Sequence, residues 1–67
     1  MQVTINGKQT MLTEVNTVEH LVKHLELSGR IAIEINQQIV PRAEYATHPL
    51  VDGDVIEIVH AIGGGTT

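Results

Sequence analysis

The 67-residue chain has no cysteine. That excludes disulfides, thiolate metal sites and a thiol nucleophile, so the apolar core must hold the fold unaided. Tyr45 is the only aromatic residue, and 4 basic residues stand against 8 acidic ones for a net charge of −4. Nucleic-acid binding therefore has neither a basic face nor stacking rings, and a protein is the expected partner. No apolar run approaches the roughly 18 residues of a membrane span, and Met1-Gln2-Val3-Thr4-Ile5 lacks the basic region of a signal peptide. The expected compartment is the cytoplasm. A chain of this size buries only about 60% of its unfolded surface, which leaves no room for an enclosed active site. No nucleophile with an adjacent base can be assembled in it, so it is not expected to be an enzyme.

What is present is patterned. Met1 to Glu14 reads as a hairpin, because Asn6-Gly7 is the preferred two-residue type I′ turn and strand-like runs flank it. The turn pairs Ile5 with Lys8, Val3 with Thr10 and Met1 with Leu12. Met1, Val3, Ile5, Thr10 and Leu12 then face the core, while Gln2, Thr4, Gln9, Met11 and Thr13 face away. Asn16-Thr17 starts a helix; either residue can cap it, and Asn16 with Glu19 resembles a capping box. At about 100° per residue, Val18, Leu21, Val22 and Leu25 form one apolar stripe. Ser28-Gly29 ends the helix, with Gly29 expected at the left-handed C′ position. His20 and His24 stand one turn apart, as metal ligands do, but opposite the apolar stripe and with no third ligand evident. They read as solvated side chains, and no metal is expected.

Ile31-Ala32-Ile33-Glu34-Ile35 alternates strictly, with the isoleucines inward and Ala32 and Glu34 outward. Asn36-Gln37-Gln38 turns the chain into Ile39-Val40, a strand cut short by Pro41, which cannot donate to a ladder. Residues 42–49 read as irregular or a single helical turn, with Tyr45 at the edge of the core and its hydroxyl outward. Asp52-Gly53-Asp54 makes the turn before a last strand whose Ile56 and Ile58 point inward and whose Val55, Glu57 and Val59 point out. Met11, Ala32, Val55 and Val59 then form an exposed apolar set, either a modest surface feature or a partner-docking surface. Arg42 and Glu34 read as docking residues or as solvated charges.

After Ala61-Ile62 the sequence runs Gly63-Gly64-Gly65-Thr66-Thr67. Consecutive glycines carry no side-chain chemistry and lose the most entropy on ordering. Such a thread is either a frayed end or a segment suited to entering a narrow site in another protein. Residues 1–62 accordingly read as the domain and 63–67 as a flexible glycine-rich tail.

The element order is strand, strand, helix, strand, short strand, strand. A lone helix must cover one face of a mixed four- to five-stranded sheet, with the first and last strands adjacent and parallel in its centre. That is an α+β, β-grasp (ubiquitin-like) fold. Several segments carry a closer resemblance: Asn6 at the first turn, Thr17-Val18 opening the helix, Ile35 through Arg42, Asp52-Gly53-Asp54 with Ile56, and Gly64-Gly65. In these, over residues 1–65, the chain resembles the ThiS family, ubiquitin-like sulfur carriers of thiazole formation in thiamin biosynthesis. The run from Asn36 to Arg42 is the most specific; Asp-Gly-Asp before a strand is shared with other β-grasp carriers.

The resemblance implies a carrier that is not itself a catalyst. An adenylating, ThiF-type enzyme would activate the carboxylate of Gly65 with ATP, and a sulfur donor would convert the acyl adenylate to a thiocarboxylate. A ThiG-type thiazole synthase would then receive the sulfur. Gly63 and Gly64 would thread the partner's active site, where a Cβ would clash. No cofactor is implied for the chain, since ATP is used by the activating partner, and alone it would be a monomer. The absence of cysteine agrees with sulfur held on a terminal carboxyl and supplied from elsewhere. Family members end at the second glycine, whereas Thr66-Thr67 follow here. The threonines are then an extension requiring proteolytic removal or a cloning remnant. A molybdopterin-synthase small-subunit-like carrier, a ubiquitin-like protein modifier and a plain interaction domain share parts of the pattern.

Overall fold

In the computed structural model, which describes residues 1–60, Asn6 (φ 50°) and Gly7 (φ 82°) both take the positive φ that a type I′ turn demands. The turn joins β1 (Gln2–Ile5) to β2 (Lys8–Met11) in the expected register, Ile5 opposite Lys8 and Val3 opposite Thr10. Met1 and Leu12 continue it reciprocally: Met1 N donates to Leu12 O at 2.7 Å and Leu12 N to Met1 O at 2.8 Å.

A second hairpin joins β3 (Ile31–Ile35) to β4 (Gln38–Val40). Its turn is two residues rather than the three expected, with Asn36 at φ 52° and Gln37 at φ 71°. Gln38 already belongs to the strand, opposite Ile35. The last strand, β5 (Val55–His60), lies in the middle of the sheet, whose order is β2-β1-β5-β3-β4. It runs parallel to β1, with Thr4 opposite Val55, and antiparallel to β3, with Ile33 opposite Ile58. This is the mixed, five-stranded β-grasp arrangement that the element order predicts.

One helix, α1 (Val18–His24), covers one face of the sheet. Thr17 caps it, its Oγ1 accepting from His20 N at 3.1 Å, while Glu19 pairs instead with Lys23 at 3.4 Å. The Asn16–Glu19 box is thereby replaced by a cap one residue later. The two remaining donors of the first turn are satisfied by the 42–49 segment, Val18 N by His48 O at 3.0 Å and Glu19 N by Tyr45 O at 2.9 Å. That segment opens with a 3₁₀ turn at Arg42–Glu44. At the other end the expectation for Gly29 fails. The left-handed C′ residue is Glu26 (φ 56°), with Glu26 N bonded to Lys23 O at 3.1 Å and Leu27 N to Val22 O at 3.0 Å. These are the paired bonds of a Schellman motif. Leu25, expected on the buried stripe, becomes the C-cap and is 36% exposed. Gly29 also has positive φ, at 79°, but it serves the link into β3.

Val18 and Leu21 meet Val3, Leu12, Ile33 and Ile56 in one core. Val15, Val40 and Leu50, to which the sequence pattern assigns no face, are buried with them.

Candidate functional site

The residues expected to act lie largely on β5 or after it, so the way this strand is held defines the site. β1 ends at Ile5, yet Asn6 prolongs the parallel ladder with both its backbone and its side chain. Asn6 N donates to Ile56 O at 2.9 Å, Asn6 Nδ2 to Ile58 O at 3.2 Å, and Asn6 Oδ1 accepts from Ile58 N at 2.8 Å. The side-chain amide thus stands in for one more peptide unit of β1.

The start of β5 is bracketed by the Asp52-Gly53-Asp54 turn. Gly53 takes φ 92°, which admits its N–H to Gln2 O at 2.7 Å, and Asp52 Oδ1 accepts from Gln2 N at 2.6 Å. Asp54 is the one buried charged residue among those described. Its Oδ2 accepts from Val51 N at 2.9 Å and its Oδ1 from Asn36 Nδ2 at 3.0 Å. Asn36 in turn accepts from Val55 N at 3.0 Å through Oδ1 and donates its own N–H to Val55 O at 2.8 Å. The motif residues Asn6, Asn36, Asp52, Gly53 and Asp54 therefore fix the start and the middle of β5 to its neighbours.

Asn36→Ala should cost about 1–3 kcal/mol, because it leaves Asp54 Oδ1 and Val55 N without partners and places a Cβ at positive φ without the amide's local bonds. Chemical denaturation should show it, and Asn36→Gly, which relieves only the backbone, should recover only part of the loss.

On the face turned away from α1, Val55 (45% exposed) and Val59 (60%) alternate with Glu57 along β5. Ala32 is directly opposite Val59 on β3. Met11, 66% exposed, lies apart: it sits on edge strand β2 opposite Gln2, with β1 between it and β5. The expected apolar set is thus brought together in part. Ile39, 69% exposed on β4, belongs with it, although the sequence reading assigns it no face. The signal is available, since Val40 turned inward sends Ile39 outward.

His20 and His24 are exposed, and among the described residues no group of three or more His, Cys, Asp or Glu is placed to hold a metal ion. A shallow groove between α1 and the 3₁₀ turn is floored by Val22 and Tyr45 and edged by Lys23 and Arg42. It pairs no nucleophile with a base. Among the described residues no helix is long and apolar enough to cross a membrane. Gly63, Gly64 and Gly65, together with Thr66, Thr67 and the boundary at residue 62, lie outside the described residues.

Comparison with known proteins places this geometry. The ThiS family model matches residues 3–65. The sulfur carrier protein ThiS of Escherichia coli (strain K12) is 38% identical over 66 residues, covering 97% of this chain and all of that one. A thiazole synthase of Paramagnetospirillum magneticum is 42% identical over 67 residues, but the chain spans only 21% of that protein's length. Among solved structures, the thiamine biosynthesis protein (ThiS) of Geobacter metallireducens superimposes with a TM-score of 0.83 at 26% identity, covering 97% of this chain and 100% of that one.

Proposed function

The chain belongs to the ThiS family, and from that premise we propose that it is a sulfur carrier of thiamin biosynthesis whose reactive group is the carboxyl of Gly65. The observation that carries this reading is the match to the Escherichia coli sulfur carrier, 38% identical over 66 residues and covering 97% of this chain and all of that one. In the proposed sequence an adenylating enzyme attaches AMP from ATP to the Gly65 carboxylate and releases pyrophosphate. Sulfur from a donor then displaces AMP to leave a thiocarboxylate, and thiazole synthase takes that sulfur. The chain supplies no catalytic group; it supplies a fixed launching strand and three residues with no Cβ to collide with a nucleotide site.

The thiazole synthases that contain a ThiS-like stretch support the identity of the last partner. Linking carrier and synthase in one polypeptide turns sulfur delivery into an intramolecular encounter at high effective concentration.

Under this reading Thr66 and Thr67 block activation. A channel that seats Gly64-Gly65 puts the Gly65 carbonyl at the nucleotide, where further residues offer an amide instead of a carboxylate. A chain ending at Gly65 and the 67-residue chain should each be incubated with the adenylating enzyme, ATP and a sulfur donor, then weighed intact. The shortened chain alone should gain the mass of one sulfur for one oxygen. Equal conversion of the longer chain with both threonines retained would move the chemistry away from Gly65.

A further inference from the structure

Asn6 and Gly7 are both exposed at the tip of the first hairpin, and an asparagine followed by glycine has a reaction open to it that needs no enzyme. The peptide nitrogen of the second residue can close on the side-chain carbonyl of the first. A Cβ on the second residue crowds that approach, and Gly7 has none. Apart from its chain neighbours, no heavy atom stands within 4 Å of the place a Gly7 Cβ would take, so water and hydroxide reach the site freely. Gly7 N makes no hydrogen bond among the described residues. Asn16 and Asn36 precede Thr17 and Gln37, whose side chains hinder the same attack. Asn6 is the susceptible position.

The fold opposes what this pair of residues favours. Asn6 Cγ lies between two atoms that are both tied to β5, since Nδ2 donates to Ile58 O at 3.2 Å and Oδ1 accepts from Ile58 N at 2.8 Å. The backbone N of Asn6 is fixed as well, to Ile56 O at 2.9 Å. An amide held at both atoms by the neighbouring strand is not free to turn toward Gly7 N on its own. Both bonds to Ile58 must break first. Local openings of this kind cost less than global unfolding and recur continually in a native protein.

We propose that Asn6-Gly7 is a site of spontaneous deamidation gated by the clamp on Ile58, and that the reaction permanently removes the donor half of that clamp. In the open state base takes the proton of Gly7 N, the nitrogen bonds to Asn6 Cγ, the Cγ–Nδ2 bond breaks, and ammonia leaves after gaining a proton from water. The product is a five-membered succinimide. Water then adds to one of its two carbonyls and opens the ring, giving aspartate at position 6, or isoaspartate with the main chain rerouted through Cγ. Either product lacks the Nδ2 donor, so Ile58 O loses its partner, and in aspartate it faces a carboxylate oxygen instead. Isoaspartate also inserts a methylene into a turn built for two residues of positive φ. The modified chain has one more negative charge and a looser hold on the strand that leads to Gly63.

The folded chain, the chain in concentrated urea and a synthetic peptide from Val3 to Gln9 should be aged side by side at mildly alkaline pH. Intact mass reads an amide becoming a carboxyl, peptide mapping locates it, and an isoaspartate-specific carboxyl methyltransferase with labelled S-adenosylmethionine counts the isoaspartate. The peptide and the urea sample should react at residue 6 at similar rates and form both products, while the folded chain lags by at least about tenfold. Hydrogen exchange of the Ile58 amide, which Asn6 Oδ1 holds, reads the same opening. The lag should be no smaller than the protection measured there. A folded chain that deamidates as fast as the peptide, or that lags by less than the Ile58 protection, would overturn the gating. Reaction in urea that appears first at Asn16 or Asn36 would overturn the choice of site. Asn6→Asp, which supplies one product outright, should melt a few degrees below the parent and exchange its Ile58 amide faster. If both its melting temperature and that exchange rate equal the parent's, the reaction leaves the clamp as it was and the proposal falls.

Discussion

Ile33→Ala should lower the unfolding free energy by roughly 2–5 kcal/mol, the cost of a cavity at a fully enclosed aliphatic site. Ile33 is 0% exposed and sits in the middle of β3, between β5 and β4. Its neighbours cannot collapse onto the void without breaking the ladders on both sides. A domain this small has only about 5–15 kcal/mol in total, so one substitution could remove half of it. Urea denaturation followed by far-ultraviolet circular dichroism would measure the shift, and an unchanged midpoint would mean that the strand presents its other face to the helix.

Gly64→Val should have the opposite profile, with stability kept and activation lost. Among the described residues no core side chain lies beyond Ile58, so the fold should not register the change. In the proposed activation, a β-branched side chain next to Gly65 both restricts φ and fills the space through which the backbone approaches ATP. Misplacing the carboxylate by about an ångström is enough to reduce the rate by about 100-fold. Pyrophosphate exchange with ATP in the presence of the adenylating enzyme reads this directly. Exchange at the parent rate would remove the glycines from the mechanism.

The contrast between these two positions reflects what is legible in the sequence. Ile31, Ile33 and Ile35 announce their face through period-two alternation, and Asn6-Gly7 announces the first hairpin because few dipeptides tolerate two positive φ values. Both signals are local. The helix end escapes a local reading because Gly29 permits a left-handed residue without requiring one, whereas the closing bonds fall three residues earlier, where Glu26 N and Leu27 N return to Lys23 O and Val22 O. The second turn is one residue shorter than its sequence suggests for a similar reason. Asn36-Gln37 is not a common type I′ pair, and what holds Asn36 is a side-chain bond to Asp54, 18 residues away. The pairing of Glu34 with Glu57 is equally out of reach, because register between β3 and β5 is set by the packed core and not by any neighbouring residue. The resemblance of Asn36 and Asp52-Gly53-Asp54 to family motifs is visible in the sequence, but their shared task of clamping β5 emerges only from the three-dimensional arrangement.

The parallel placement of β1 beside β5 has a mechanical consequence. The amino terminus and the end of β5 lie at opposite ends of one ladder, so tension between them runs along the strands. It loads Thr4 N to Asp54 O, Asn6 N to Ile56 O and both amide bonds between Asn6 and Ile58 simultaneously. Antiparallel strands pulled from the same edge would separate bond by bond, like a zipper. Here the bonds must shear together, so tension applied between the amino terminus and the end of β5 is resisted by all of them at once.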